Sequence, residues 1–369
     1  MKIGTLFSGG LAAPEQAIKQ MKKDHEVVFA CEYDKFARQN YLANHKVPNG
    51  HFHKDINDMD GTEYIGKVDI IVGGSPCQAF SISGLRRGLE DKRGKLIWQY
   101  FRIIKEARPK YFIYENVKGM ISDNNGKTIK DFIEVFRSIG YYCHFSVLNT
   151  KDYGVPQNRE RVYIVGFLDY DEYLKFEFEK PKPLTMKLKD ILEDDVDEKY
   201  YIKNDKMIKF ILDEKRQKKK YVQINGDIAV TQQARQYASW NGDYINVVGL
   251  LDIKGNEQIR RVYGINGVSP TLTTMEGGNR QPKILHHASC SFEHNNFVED
   301  SYTIRKLTPR ECFRLQGCDD SFKIEVSDSQ AYKIAGNAMS VNILEMIFRS
   351  LDNVKSCKKE NLFDFMEAT

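Results

Sequence analysis

The stretch Val68-Asp69-Ile70-Ile71-Val72-Gly73-Gly74-Ser75-Pro76-Cys77-Gln78 decides the fold. Positions 68–72 form a short apolar run of the kind that a strand buried on both faces requires. Gly73-Gly74 closes the run, and a proline-restricted loop with a cysteine and a glutamine follows directly. A small buried cysteine is the commoner fate of that residue. A Pro-Cys-Gln loop is not core-like, however, because an amide is costly to bury without a partner.

The same rhythm extends to both sides. Apolar strand runs are expected at 3–7, 27–31, 111–114 and 161–167, and helical spacing at 14–22, 96–107 and 129–139. Strands alternating with helices predict an α/β fold, a Rossmann-like, mostly parallel sheet covered on both faces. This catalytic and cofactor-binding domain is assigned residues 1–167. After Phe167 the chain becomes rich in Lys, Asp and Glu, with an acidic run at 193–195 and a basic run at 215–220. Asn-Gly pairs at 225–226, 241–242 and 266–267 favour tight hairpin turns. A smaller β-rich domain is therefore expected over 168–300. Helical character returns at 301–349, with a break at Gly336-Asn337, and 350–369 is expected to be a loose surface tail.

Bulk composition sets outer limits. A chain of 369 residues can bury one large core or two domains. The net charge of +4 is only a mild bias toward polyanions. The cysteines at 31, 77, 143, 290, 312, 318 and 357 form no C-x-x-C pair and no cluster with histidine, so no metal site is expected. Their odd number, and an N-terminus that runs directly into strand-like sequence, fit a reducing cytoplasm. No run of 18 apolar residues suggests a membrane span.

Ligands of doubly wound sheets bind at the carboxyl ends of the strands. Ser8-Gly9-Gly10 lies there, where glycines let the backbone approach a ligand closely. Glu32 follows the second strand and can accept from ribose hydroxyls, Tyr33 offers a ring face for adenine, and Asp55 can accept from its amino group. Together they suggest an adenosine-containing cofactor, although a nicotinamide cofactor fits the same outline. The competing reading makes Glu32 and Asp55 simple helix caps.

Cys77 and Glu115 each follow an apolar strand, and so face one cleft if those strands are neighbours. Gln157, Arg159 and Arg161 alternate with period 2 and would share a face on an extended strand. A thiolate, a carboxyl group and an arginine suit attack on an electron-poor ring. Thiolate addition at C6 of cytosine makes C5 nucleophilic, Glu115 at N3 eases the addition, and an arginine at O2 steadies the charge.

At these residues the chain resembles the bacterial C5-cytosine DNA methyltransferases of restriction–modification systems. Phe7-Ser8-Gly9-Gly10 is similar to the family's cofactor loop, and Glu32 and Asp55 to its ribose and adenine contacts. Pro76-Cys77-Gln78 with Phe80-Ser81 is similar to its catalytic loop, Glu115-Asn116-Val117 to its acidic motif, and Gln157-x-Arg159-x-Arg161 to its arginine strand. Arg305-x-Leu307-Thr308-Pro309-Arg310-Glu311-Cys312 resembles the motif that supports the recognition domain, and Gly336-Asn337-Ala338 the last motif, which returns to the cofactor pocket. One departure is that Gly9-Gly10 continues into Leu11-Ala12-Ala13-Pro14 where the family has Gly-x-Gly.

The resemblance implies S-adenosylmethionine as cofactor, bound by Phe7, Ser8, Gly9, Gly10, Glu32, Tyr33, Asp55, Ile56, Pro76, Asn337 and Ala338. It implies Cys77, Glu115, Arg159 and Arg161 as catalytic residues. The partner is double-stranded DNA carrying a specific sequence, with the target cytosine flipped out of the helix. Ser81, Ser83, Arg93, Gln157, Arg159, Thr271 and Arg280 are the expected DNA contacts. The basic, glycine-rich segment 81–96 is expected to close on the DNA, and 168–300 to read the sequence. A cytoplasmic, nucleoid-associated monomer is expected, with a cognate restriction endonuclease as a companion rather than a stable subunit. Two alternatives stand beside this reading: the same chemistry on transfer RNA, and a non-catalytic DNA-binding regulator.

Overall fold

In the computed structural model the described residues are 1–76, 95–201, 247–250, 261–265, 268–269, 272, 282–287 and 302–366. Seven strands form the main sheet: β1 (Lys2–Leu6), β2 (Glu26–Cys31), β3 (Phe52–His53), β4 (Ile70–Gly73), β5 (Tyr111–Val117), β6 (Tyr142–Asn149) and β7 (Glu160–Phe167). Their order is β3-β2-β1-β4-β5-β7-β6. The first five are mutually parallel, whereas β7 runs antiparallel to both β5 and β6.

Helices α1 (Ala13–Gln20), α2 (Lys35–Leu42), α3 (Lys95–Ala107) and α4 (Lys127–Ser138) connect the strands. The sheet divides two cores by the period-2 alternation of its strands. Ile70 and Val72 of β4, Ile113 of β5 and Val165 of β7 join the cluster that holds Ala17 and Ile18 of α1. Ile71, Phe112, Tyr114 and Ile164 face the other way, into the cluster with Tyr100 and Ile104 of α3 and Phe132 and Phe136 of α4. Local signals start the helices: Pro14 occupies the first turn of α1 as expected, and Asp34 caps α2, which the sequence reading did not anticipate, by accepting from Phe36 N and Ala37 N.

Two elements depart from the sequence reading. Strand β6 has no clean alternation in its sequence, because it is an edge strand with partial burial along most of its length. The chain beyond 350, expected as a surface tail, has a backbone that continues the last helix as far as Met366.

A second, four-stranded sheet contains β8 (Val247–Leu250), β9 (Arg261–Gly264), β10 (Lys283–His287) and β11 (Tyr302–Lys306), in the order β11-β10-β9-β8. Strand β11, just past position 301, therefore pairs with this sheet, and the return to the main core begins at Leu307. Helices α5 (Tyr170–Lys175), α6 (Pro309–Arg314), α7 (Asp328–Asn337) and α8 (Val341–Met366) follow in the second half of the chain. The break falls later than the sequence suggested: Gly336 and Asn337 are the last residues of α7, Ala338–Ser340 separate it from α8, and the buried side of α8 joins the α1 core.

The junction of β11 and α6 rests on a buried ion pair. Arg305 donates to both oxygens of Glu311, at 2.8 and 2.6 Å, and both side chains are essentially inaccessible. The same carboxylate accepts from Thr308 N at 2.8 Å, which closes the capping box of α6, and from Glu193 N at 2.9 Å. Changing Glu311 to Ala is expected to cost roughly 3–5 kcal/mol, because a guanidinium would lose its carboxylate inside the protein. A urea unfolding midpoint that falls with unchanged slope is the expected result; a loss under about 1 kcal/mol would show that the pair does not anchor the junction.

Candidate active site

The carboxyl ends of β1, β4 and β5 meet the α7–α8 connection around a cleft of about 410 Å³ that is open to solvent. Phe7, Ser8, Gly9, Gly74, Glu115, Asn337 and Ala338 line it. Three positive φ angles, at Phe7 (54°), Gly9 (65°) and Ala12 (53°), turn the chain from β1 into α1. The loop is tied to β2: Ser8 N donates to the Cys31 carbonyl at 3.0 Å, Cys31 N donates to Ser8 Oγ at 3.1 Å, and Gly9 N donates to Glu32 Oε2 at 2.8 Å.

Glu32 therefore has two tasks. Its other oxygen takes Asp34 N at 2.9 Å, so the carboxylate is locked in place with lone pairs still directed outward. Burial raises its pKa, against the backbone hydrogen bonds that lower it. Beside it Tyr33 is 79% exposed, an open ring face. Asp55 accepts from Asn57 N at 2.9 Å and Asn57 Nδ2 at 2.7 Å, so it caps a 3-10 turn as its bland reading allowed. Ile56 is buried in the α3-side core. These groups suit an adenosine: a fixed acceptor for hydroxyls, a free aromatic face and a second carboxylate.

The chemical end of the cleft is set by β4 and β5, which pair directly with Gly73 opposite Tyr114. Pro76 is exposed just past β4. Glu115 lies on β5 facing Arg161 of β7, with Arg161 Nε 3.3 Å from Glu115 Oε1. Desolvation raises the Glu115 pKa, and the opposing charges of Arg161 and Arg159 do not cancel the rise. A carboxyl group with this balance keeps its proton more readily than an exposed one and can donate it. Gly74 permits the approach, since a Cβ there would lie 2.5 Å from the Glu115 carbonyl oxygen.

The arginine strand differs from expectation. Only Arg161 lies within β7; Gln157 and Arg159 precede it in an irregular segment. Gln157 is fully buried, donates to the Leu315 carbonyl and accepts from Leu272 N at 3.0 Å. Its amide is spent on backbone and has no exposed face for a base edge. Arg159 is 3% exposed and donates to the carbonyls of Leu272 (3.1 Å), Gly336 (3.3 Å) and Ala338 (2.7 Å). It is thus a clamp on the site's wall, and the period-2 pattern does not gather all three side chains on one face. Thr5, Leu11, Ala12, Pro14 and Met339 also line the cleft. Sequence reasoning passed over them, although they adjoin the quoted glycine and Asn-Ala motifs. Cys77, Ser81, Ser83, Arg93, Thr271 and Arg280 lie outside the described residues.

The sheet order, with acids at the carboxyl ends of its parallel strands, defines a Rossmann-like α/β fold. The family described as C-5 cytosine-specific DNA methylase matches residues 1–353, and the chain belongs to it. It is 30% identical over 492 residues to the orphan methyltransferase M.Rho11sI of Bacillus phage rho11s, covering 95% of this chain and 97% of that protein. It is 34% identical over 323 residues to the type II methyltransferase M.HhaI of Haemophilus parahaemolyticus, covering 87% and 86%. Among solved structures, the fold is similar to the Entamoeba histolytica methyltransferase EhMeth, with TM-score 0.66, 16% identity and coverage of 96% and 98%. The chain is thus an enzyme of the C5-cytosine DNA methyltransferase class. Among the described residues, no helix is long and apolar enough to cross a membrane and no group of His, Cys, Asp or Glu is arranged for a metal.

The clamp is testable. Changing Arg159 to Leu strands three buried carbonyls, and stability is expected to fall by roughly 3 kcal/mol or more. Amide exchange over 337–341 should accelerate at the same time. A fall below about 1 kcal/mol with unchanged exchange would remove Arg159 from this role.

Proposed function

We propose that the protein methylates C5 of cytosine within a specific double-stranded DNA sequence, with Cys77 as nucleophile and S-adenosylmethionine as donor. The observation that carries the reading is Glu115, buried, paired with Arg161 and biased toward its protonated form at the edge of the cleft. Cys77 follows β4 by four residues, and β4 is the hydrogen-bonded neighbour of the strand that carries Glu115.

The Cys77 thiolate adds to C6 of a flipped-out cytosine, while the Glu115 carboxyl donates to N3. Electron density moves to C5, and Arg161 steadies the charge that develops on the ring. Loss of the C5 proton to a base later expels the thiolate and restores the ring. Bound S-adenosylmethionine supplies an electrophilic methyl group. Glu32 would hold its ribose, Tyr33 and Asp55 its adenine, and the 7–10 loop with Asn337 and Ala338 the remaining walls. Arg159 serves as a positioning residue through its carbonyl contacts.

In this reading, residues 1–167 together with 301–349 form the catalytic body and 168–300 the target-recognition region. Ser81, Ser83 and Arg93 meet the DNA backbone, and Thr271 and Arg280 belong to the base-reading part. The enzyme works as a monomer where its DNA lies. Its relatives are named both as orphan and as type II methyltransferases, so a companion endonuclease is not required by the chemistry.

A duplex containing 5-fluorocytosine tests the nucleophile. Wild-type protein with donor should form a denaturation-stable adduct, and Cys77→Ala should form none while still binding duplex. Glu115→Gln should slow transfer by roughly 10²–10⁴-fold. Comparable turnover in Cys77→Ala would refute the assignment. For the cofactor, Glu32→Ala should raise the donor Kd about tenfold or more, and an unchanged Kd would argue against the ribose contact.

A further inference from the structure

One charged group beside the cleft has no part in the chemistry above. Glu15, in the first turn of α1, is completely buried. Its Oε1 accepts from Tyr41 Oη at 2.5 Å and from Thr5 Oγ1 at 3.3 Å, and its Oε2 has no hydrogen-bond partner. Among the described residues no Lys, Arg or His forms an ion pair with it. An acid sealed in protein without a countercharge is costly. Glu15 does not itself line the cleft, but it lies directly behind residues that do: Thr5, Ala13 and Pro14 all line it, and Thr5 Oγ1, which bonds Glu15, is 2.8 Å from Ser8 Oγ of the cofactor loop.

We infer that Glu15 is a binding determinant for the positively charged methionine end of the methyl donor, supplying the negative charge that this cation meets behind the loop. The inference rests on the donor assignment made above. The donor carries two such centres, an α-ammonium and a sulfonium, and both present the same chemistry to a buried carboxylate. Burial holds the Glu15 pKa at about 7 in the free protein, with Tyr41 and Thr5 opposing that rise. A cation in the cleft favours the ionised form, so donor binding pulls the pKa down and expels a proton. Affinity then falls as the pH drops below about 7 and levels off above it.

The other groups that face this region do not supply the charge. Tyr41 of α2 titrates far above neutrality, and His45, packed on Tyr41, is pushed down to about 4. Lys19, one turn along α1, donates to Ser321. Glu32 and Glu115, the remaining acids at the cleft, also have raised pKa values, so the test must isolate Glu15.

Titration calorimetry of the full chain with S-adenosylmethionine, in buffers of different ionisation enthalpy, reads both affinity and proton release. Wild-type protein should release a proton at pH 6 and bind about tenfold more weakly than at pH 8. Glu15→Gln should abolish that release and flatten this part of the profile; an unaltered profile overturns the inference. S-adenosylhomocysteine keeps only the ammonium, so retention of the release assigns that centre and its loss assigns the sulfonium. Equal release with 5′-methylthioadenosine, which lacks both, overturns the inference. Should Glu15→Gln fail to fold, Tyr41→Phe removes the hydrogen bond that favours the anion and should move the midpoint upward; an unmoved midpoint overturns it. No donor binding by the wild type at pH 8 sinks the cofactor assignment and this inference together, whereas binding without a Glu15-linked proton sinks the inference alone.

Discussion

One buried guanidinium holds the catalytic edge together. Arg159 gathers carbonyls from Leu272, Gly336 and Ala338, three points far apart in sequence, while its own backbone is fixed by Asn149 and Thr150. Two of those carbonyls lie at the end of α7, where the helix dipole places partial negative charge and a cation is favoured. The wall of the cleft at Asn337 and Ala338 is thereby set by the same side chain that receives the 272 segment. Gln157 adds a second tie to that segment through Leu272 N. A shift at Ser269 or Leu272 would therefore be felt at the wall of the site.

The acids in and beside the cleft are tuned by burial rather than by pairing. Glu15 has no cation, Glu32 is held by backbone donors, and only Glu115 has an arginine against it. In each the charged form is disfavoured by desolvation. A site of this kind suits a cationic ligand on one side and a proton donor on the other. Arg161 moderates the rise at Glu115, because its charge opposes the desolvation that favours the protonated form.

Much of this was legible in the sequence because it depends on local pattern. Apolar runs that end in Gly or an acid mark the parallel strands and the edge where ligands bind, so β1, β2, β4, β5 and the groups Glu32 and Glu115 follow from reading along the chain. What depends on three-dimensional neighbours was not legible. Nothing in the residues of 142–149 tells that they form the outer strand, or that the later strand 160–167 inserts between it and β5. Period 2 suggested that Gln157 and Arg159 point into the site with Arg161. The chain is not yet in strand β7 at 157–159, and both side chains turn inward to backbone carbonyls more than a hundred residues away in sequence. Glu15 carried no signal at all, since a glutamate in the first turn of a helix is ordinarily an exposed partner of the dipole.

The approach of the segment after β4 to Glu115 is then a question of strand spacing. β4 and β5 are adjacent and in parallel register, so the segment that leaves Gly73 passes directly over the residue that follows Tyr114. That residue is Glu115, and Gly74 lies so close that any side chain there would meet its carbonyl oxygen. Ser75, one residue on, is fixed by its hydroxyl to Tyr114 Oη at 2.7 Å, and Asn116 Nδ2 reaches the same oxygen at 2.9 Å. The backbone entering the Pro-Cys loop is therefore bonded to the two residues that flank the acid. A glycine for approach and a hydroxyl bridge for orientation do together what no single catalytic side chain can: they set the chain that leads to the thiol in fixed relation to the carboxyl group before any substrate arrives.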